Sequence, residues 1–524
     1  MLKDTKIVVI VLLVLINSFS GCTLFSFFDE TEFLLNSSVI EDDDGFTSLF
    51  LHFNTTDKAT LKLLDPSGDL LFFEEYYAGA HDEIVPLDEY RKTPSPGKYH
   101  LKAYDTNEKK IFENELFFTG QNLTITKVIE KWWLNDDKYF LVGLTITLKN
   151  SGDLPAYPHT ATVQIDNKKS SEFLLPTVIL PHQSKNVNCF VYLDDISTES
   201  SLLELSVNNF EGEILADTII TIHPSENIPD LEYSWWYNGD NTLVVPDVDF
   251  LYEYYSSLER LVLEDYAAYV FDVYDDQYID LVAERLLALT DASDDVGIIN
   301  FAASFIQSLK YAKDDENDPT YEYPRYPMET VKDSQGDCED KAMLTASLLD
   351  SMSYTVSLLR LPNHMAVGVH LDENLSNYDH YAEEYYYLET TMRDWDLGRV
   401  PKEYEDITNV TVHSISSRPI LIHSWKNATR FSGSDGSDYV KIKILIENLG
   451  RGNANNFEIR GAFYNQNGIG FNKETTWIAS LAAGKKKVVD LQINVPQGIS
   501  TTLKTQIYLN DQMVHEKEST SSFP

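Results

Sequence analysis

Two distant stretches of this chain repeat each other, and the repeat narrows what it can fold into. Leu144–Gly152 reads Leu-Thr-Ile-Thr-Leu-Lys-Asn-Ser-Gly, and Ile442–Gly450 reads Ile-Lys-Ile-Leu-Ile-Glu-Asn-Leu-Gly. Each is an alternating run ending in Asn-x-Gly, with an alanine (Ala156, Ala454) six residues past the asparagine. A second echo follows 30 residues after Asn150 and 33 after Asn448, where Leu180–Lys185 and Leu481–Lys485 lead into Val187-x-Cys189-x-Val191 and Val489-x-Leu491-x-Ile493. Period-two alternation puts every second side chain on one face of a strand, so each copy reads as one β module used twice. Thr47 to about Gly120 alternates in the same way, through Leu49-x-Leu51-x-Phe53, Ala59-x-Leu61-x-Leu63 and Tyr99-x-Leu101-x-Ala103. Pro66-Ser67-Gly68-Asp69 and Ser95-Pro96-Gly97-Lys98 supply its turns, which indicates an antiparallel sandwich.

Between the copies the period changes. Pro246 to Lys313 places apolar residues at helical spacing: Tyr254, Leu258 and Leu261, then Ile279, Val282 and Leu286, then Ile298, Phe301 and Phe305. Asp291 and Ser293-Asp294-Asp295 mark a helix start near Val296. Tyr354–Leu361, Met365–Leu371 and Tyr385–Leu388 then read as strands. Helices followed by an antiparallel sheet make an α+β unit.

One of only three cysteines lies in this unit, within Gly336-Asp337-Cys338-Glu339-Asp340-Lys341-Ala342. Gly336 and Asp337 read as turn and N-cap, so Cys338 falls in the first helical turn. Ala342, Ala346, Leu349 and Met352 form one apolar face, with Leu344 and Leu348 beside it. The unpaired amides and positive end of a helix favour a thiolate, so the Cys338 pKa is expected below the free value of about 8.5. A nucleophile needs a base, and the base an orienting group. His364, in Pro362-Asn363-His364-Met365, and Glu389, in Tyr387-Leu388-Glu389-Thr390-Thr391, follow on successive expected strands. The Cys338 backbone N–H is one candidate oxyanion donor and Gln335 a candidate second. Asp340 reads as a turn-fixing acid, and His182, His370, His380 and His413 read as structural or exposed. Without a Cys pair or a helical His-x-x-x-His, neither a metal nor a cofactor is expected.

These residues resemble the transglutaminase-like cysteine-enzyme superfamily, the circularly permuted relatives of papain-type proteases. The resemblance runs from about 246 to 401 and includes Phe305–Tyr311, Tyr326-Pro327-Met328-Glu329-Thr330, the Cys338 block, His364 and Glu389-Thr390-Thr391. It implies a Cys338–His364–Glu389 triad acting on amide bonds of proteins or peptides through a thioester, by hydrolysis (peptidase or amidase) or by acyl transfer (protein-glutamine acyltransferase). The family shows Asp-x-Thr where this chain has Glu389-Thr390-Thr391, which leaves Asp394 and Asp396 as substitutes for the third member. The β repeats resemble adhesion-type immunoglobulin-like sandwiches of prokaryotic surface proteins, archaeal ones in particular.

At 524 residues the chain exceeds one core. Lys3 and Lys6 precede the apolar run Ile7–Ile16, and Ser18-Phe19-Ser20-Gly21-Cys22 resembles a lipobox. Cleavage before Cys22 and a lipid on its sulfur are expected; the other reading is a plain N-terminal membrane anchor. Either puts the mature chain on the extracellular face, tethered to the membrane. Six Asn-x-Ser/Thr sequons, at Asn36, Asn54, Asn122, Asn374, Asn409 and Asn427, fit a glycosylated surface protein. A formal charge of −42 argues against nucleic-acid partners, whose phosphates it would repel.

The expected organisation is a signal peptide (1–22), a tether (23–45), sandwiches at 46–121 and 122–225, a catalytic unit at 226–408 and a third sandwich at 409–524. The expected fold class is multidomain: an α+β papain-like, transglutaminase-like core flanked by all-β immunoglobulin-like sandwiches. The alternative reading is a non-catalytic surface adhesion or scaffold protein with a relic domain, in contact with other surface proteins or the cell wall.

Overall fold

The computed structural model describes residues 34–41, 45–196, 200–260, 263–314, 322–432 and 438–523. The expected signal peptide, Cys22 and most of the tether lie outside them. Among the described residues no helix is long and apolar enough to cross a membrane.

Leu34 to Phe118 contributes two facing sheets. One orders Leu34–Glu41, Thr47–Thr55 and Gly79–Pro86; the other orders Leu70–Tyr76, Ala59–Leu64, Gly97–Asp105 and Lys110–Phe118. Their alternating inner residues, among them Leu51, Phe53, Leu63 and Leu101, are buried as one core.

The two repeat copies fold alike. In the first, Lys138–Asn150 is paired with Leu123–Asn135 and Ser184–Cys189, facing a sheet that contains Thr160–Ile165, Ser201–Asn208 and Ile214–Ile222. In the second, Asp438–Asn448 is paired with Leu421–Ser432 and Lys486–Asn494, facing Gly470–Leu481, Ala454–Tyr464, Thr502–Leu509 and Gln512–Glu518. The repeated asparagine explains the repeat. Asn150 Nδ2 donates to the Leu154 and Ile179 carbonyls, and its Oδ1 accepts from Gly152 N and Asn122 N. Asn448 Nδ2 donates to Gly452 and Leu481, and its Oδ1 accepts from Gly450 N and Ile420 N. Each buried amide thus joins three chain segments. The glycine is also required: a Cβ on Gly152 would lie 2.1 Å from the Gly120 carbonyl oxygen, and one on Gly450 2.3 Å from that of Arg418.

Between the copies lie the helices Asp249–Ser256, Ala267–Val270, Asp276–Leu289, Asp295–Ser308, Pro327–Asp333 and Cys338–Ser351. An antiparallel sheet follows in the order Tyr386–Leu388, His364–Val369, Val356–Leu361, Thr411–Ser414. The Cys338–Ser351 helix is buried on both sides. Ala342, Ala346 and Leu349 pack on Val356, Leu358, Val367 and Leu388 of the sheet, whereas Leu344 and Leu348 face Phe301, Phe305 and Tyr278.

The expected fold class is corrected here. The described residues are 49% strand and 13% helix, so the chain is a multi-sheet β protein. The helical segment is also not a self-contained papain-like core. Its largest apolar cluster is shared with Trp133, Phe140, Val142 and Phe190 of the first repeat and with Tyr233, Trp235, Leu243 and Val245 of the hairpin Asp230–Trp236/Asp240–Pro246. Helical periodicity shows which face is apolar but not what covers it, and here distant strands cover it.

Candidate functional site

The site is built where the Cys338–Ser351 helix meets the His364–Val369 strand. Asp337 caps the helix: its side chain takes the backbone N–H three residues on, and Asp340 returns a bond to the Asp337 N–H. Asp340, fully buried, pairs with Arg325 at 2.7 Å, and Arg325 also binds Asp314 and Asp333. Gly336 is needed at this corner, since a Cβ there would come within 2.6 Å of the Asp340 Cβ.

His364 and Glu389 are brought together. His364 Nε2 lies 3.1 Å from Glu389 Oε2, with side-chain exposures of 7% and 0%. The same oxygen accepts from the Tyr387 hydroxyl at 2.7 Å, and Oε1 accepts from Thr390 N, Thr391 N and Thr391 Oγ1. Burial pushes this carboxyl up, but the His364 bond and charge and the Thr391 donors outweigh it and bring Glu389 down to about 2. A carboxylate held ionised takes the Nε2 proton as its donor, which leaves Nδ1 as the lone-pair atom of the ring. Tyr404 lies flat on the imidazole, centroids 4.8 Å apart and planes within 2°. Behind Glu389, the buried Gln307 amide donates to the Glu389 and Trp395 carbonyls. Asp394 and Asp396, the substitutes considered for the third position, are exposed and outside this bonding network.

Cys338 is placed differently from expectation. Its sulfur lies at the Met365 backbone N–H, next to His364, but the thiol donates to Glu339 Oε2 at 3.0 Å. Burial first, then the Glu339 carboxylate and Asp337, push the thiol well above its free value. The expected lowering is therefore reversed. A helix end acts as about half a positive charge, and here it faces full carboxylates in a half-closed corner. Asp314, Glu322 and Glu339 bring their carboxylates within 4.8 Å of one another, as do the ligand atoms of Asp337, Cys338 and Glu339. These groups have the reach of a cation cage, but Cys338, Asp337 and Glu322 are hydrogen-bonded to Glu339, and no ligand role is assigned to them. Gln335, the candidate oxyanion donor, is half-buried, and its side-chain oxygen accepts from Lys310 at 3.3 Å.

Sequence reasoning missed Glu339 as thiol partner, and also Tyr404, Tyr387 and Gln307. It also missed Lys341, fully buried one helical turn past Cys338, with its ammonium on the Leu309 carbonyl. Burial, then the Arg393 charge, lower Lys341 to about 8 against the opposing pull of Glu389. A charged residue inside an apolar helical run was the available signal. Beside the site, Asn377–Glu383 and Trp395–Val412 wall a groove of about 1000 Å³ that presents Tyr378, Tyr381, Trp395 and Arg399.

No family model matches this chain, and no curated protein matches it. Among solved structures it aligns with a β-glucuronidase of glycoside hydrolase family 2 at 9% identity, covering 94% of this chain and 75% of that one, with a TM-score of 0.17. It aligns with the exo-chitosanase of Amycolatopsis orientalis at 9% identity, covering 90% and 76%, with a TM-score of 0.16. A Ruminococcus gnavus β-glucuronidase aligns over 36% of this chain and 38% of its own at 8% identity, with a TM-score of 0.13. These TM-scores lie below those of a shared fold. The resemblance to transglutaminase-like enzymes is corrected: no family model, that one included, matches this chain. The reading as a cysteine peptidase, amidase or acyltransferase is corrected with it. Such chemistry starts from an activated thiolate, whereas this thiol donates its proton to the Glu339 carboxylate.

Proposed function

We propose that this chain is an exported, membrane-tethered string of β-sandwiches carrying one acid–base site. In it His364 moves a proton and Glu389 fixes the ring. The observation that supports this reading is the buried His364–Glu389 pair at 3.1 Å, in which four further donors hold the carboxylate. A carboxylate so satisfied gains little from a proton. It serves as an anchor for the imidazole and a counter-charge when Nδ1 takes a proton from a ligand. Tethering rests on the Ile7–Ile16 run and Cys22, and a Cys22→Ser chain should be released into the medium.

Ring opening of 5-nitrobenzisoxazole reports general-base catalysis without a thiol. General bases contribute about 10²–10⁴ in rate. The wild-type chain should accelerate the reaction, His364→Ala should fall to the buffer rate, and Cys338→Ala should keep the wild-type rate. Equal rates for wild type and His364→Ala would overturn the proposal.

A further inference from the structure

We propose that Glu339 is a restraining partner of Cys338: its carboxylate occupies the thiol proton and keeps the sulfur inert until the Glu339–Asp337 carboxyl pair is neutralised. This inference shares with the proposed site only the His364–Val369 strand, whose Met365 N–H meets the sulfur. The bond is short and local, Sγ to Oε2 at 3.0 Å, and Glu339 is 8% exposed, so solvent does not compete for it.

The groups around the sulfur are almost all acidic or neutral. From the helix start come Asp337 and Glu339; from the segment before it come Tyr311, Asp314 and Glu322. From the loop leading into Ala267–Val270 comes Tyr266, whose hydroxyl donates to Glu322, with Arg360 acting on that hydroxyl. From the far side come Tyr404 and, on the strand whose Met365 N–H meets the sulfur, His364. Arg325, whose guanidinium lies in the same corner, is taken by Asp314, Asp333 and Asp340. Asp337 and Glu339 are hydrogen-bonded to each other, and burial raises both above the ordinary carboxylate range. Adding a proton to this pair, or a cation beside it, removes the negative charge facing the sulfur. The thiol proton then leaves to solvent more readily, and the helix end favours the thiolate that forms.

The test is alkylation of the full chain by iodoacetamide from pH 6 to 10, read by mass spectrometry at each cysteine. Cys189, fully buried, is the internal gauge of folding. Glu339→Gln should label Cys338 at least ten-fold faster than wild type at pH 8, with the rate profile moved to lower pH and Cys189 still protected. Unchanged Cys338 labelling with Cys189 protected would overturn the inference. If Glu339→Gln exposes Cys189, Asp337→Asn decides instead: faster labelling supports the restraint, and unchanged labelling refutes it. Because the readout is the sulfur alone, a failed restraint leaves the His364–Glu389 reading standing, and loss of proton transfer in His364→Ala leaves the restraint standing.

Discussion

Glu389 takes the Nε2 proton of His364 on the same oxygen that takes the Tyr387 hydroxyl. The imidazole is thereby tied to a carboxylate that other donors have already fixed in place. Glu389→Ala should cost base catalysis heavily, by up to the roughly 10⁴-fold seen when the orienting acid of a serine triad is disabled. Tyr387→Phe should cost less than ten-fold, since three donors besides His364 remain. Steady-state rates on 5-nitrobenzisoxazole measure both, and equal losses would show that the hydroxyl, not the carboxylate, sets the ring.

Acid should loosen the site within a defined window. Glu389 is held at about 2 against an ordinary 4.5, a lowered folded value. Its contribution to stability is therefore complete above about 4.5 and is lost as pH falls towards 2. Acid unfolding followed by near-ultraviolet circular dichroism should be steeper over that range in wild type than in Glu389→Gln. Matching slopes would count against it.

A second acid response belongs to the C-terminal sandwich. His423 and His515 share a 2.8 Å Nδ1–Nδ1 hydrogen bond, and His423 Nε2 meets the Thr505 hydroxyl that also accepts from the Trp425 indole. Burial, then the charges of His515 and Lys517, lower His423 to about 3 from 6.5. The folded chain thus refuses a proton that the unfolded chain takes. Stability should fall as pH drops from about 6.5 to 3, by about 1.4 kcal/mol per pH unit for such a histidine, and level off below. The Trp425 indole N–H resonance should disappear early in that descent, and His423→Gln should flatten the response. A resonance unchanged to pH 4 would contradict this.

The paired asparagines make a stability prediction. Asn150→Ala and Asn448→Ala each remove one buried amide and strand partners on three segments. Each unsatisfied buried group costs about 1–3 kcal/mol, so each variant should melt several degrees lower, with similar losses. Calorimetry decides, and a loss in only one copy would mean that the two modules are held differently.

What could be read from the sequence was local. Asn150 and Asn448 stood out because each sits at a fixed offset from a strand end, its glycine and its alanine. The Cys338 helix start was legible because Asp337 and Asp340 cap within four residues. Distant packing was not legible. Trp133, Phe140 and Phe190 join the helices' core across long separations, which is why an independent α+β core was expected and not found. Nor did the sequence reveal the sign of the Cys338 environment. The opposing carboxylates, Asp337 and Glu339, flank Cys338 in the sequence, but the burial that weighs most against the thiolate comes from packing between distant segments. Tyr404 on His364 is likewise a contact between segments with no shared periodicity.

The most direct measurement is the protonation state of the His364 ring, by ¹⁵N nuclear magnetic resonance of histidine-labelled protein in wild type and Glu389→Ala. The His364–Glu389 geometry requires a proton on Nε2 and a lone pair on Nδ1 in the neutral wild-type ring, and loss of that preference in Glu389→Ala. A wild-type ring carrying its proton on Nδ1, or one indifferent to Glu389→Ala, would contradict the proposed acid–base site.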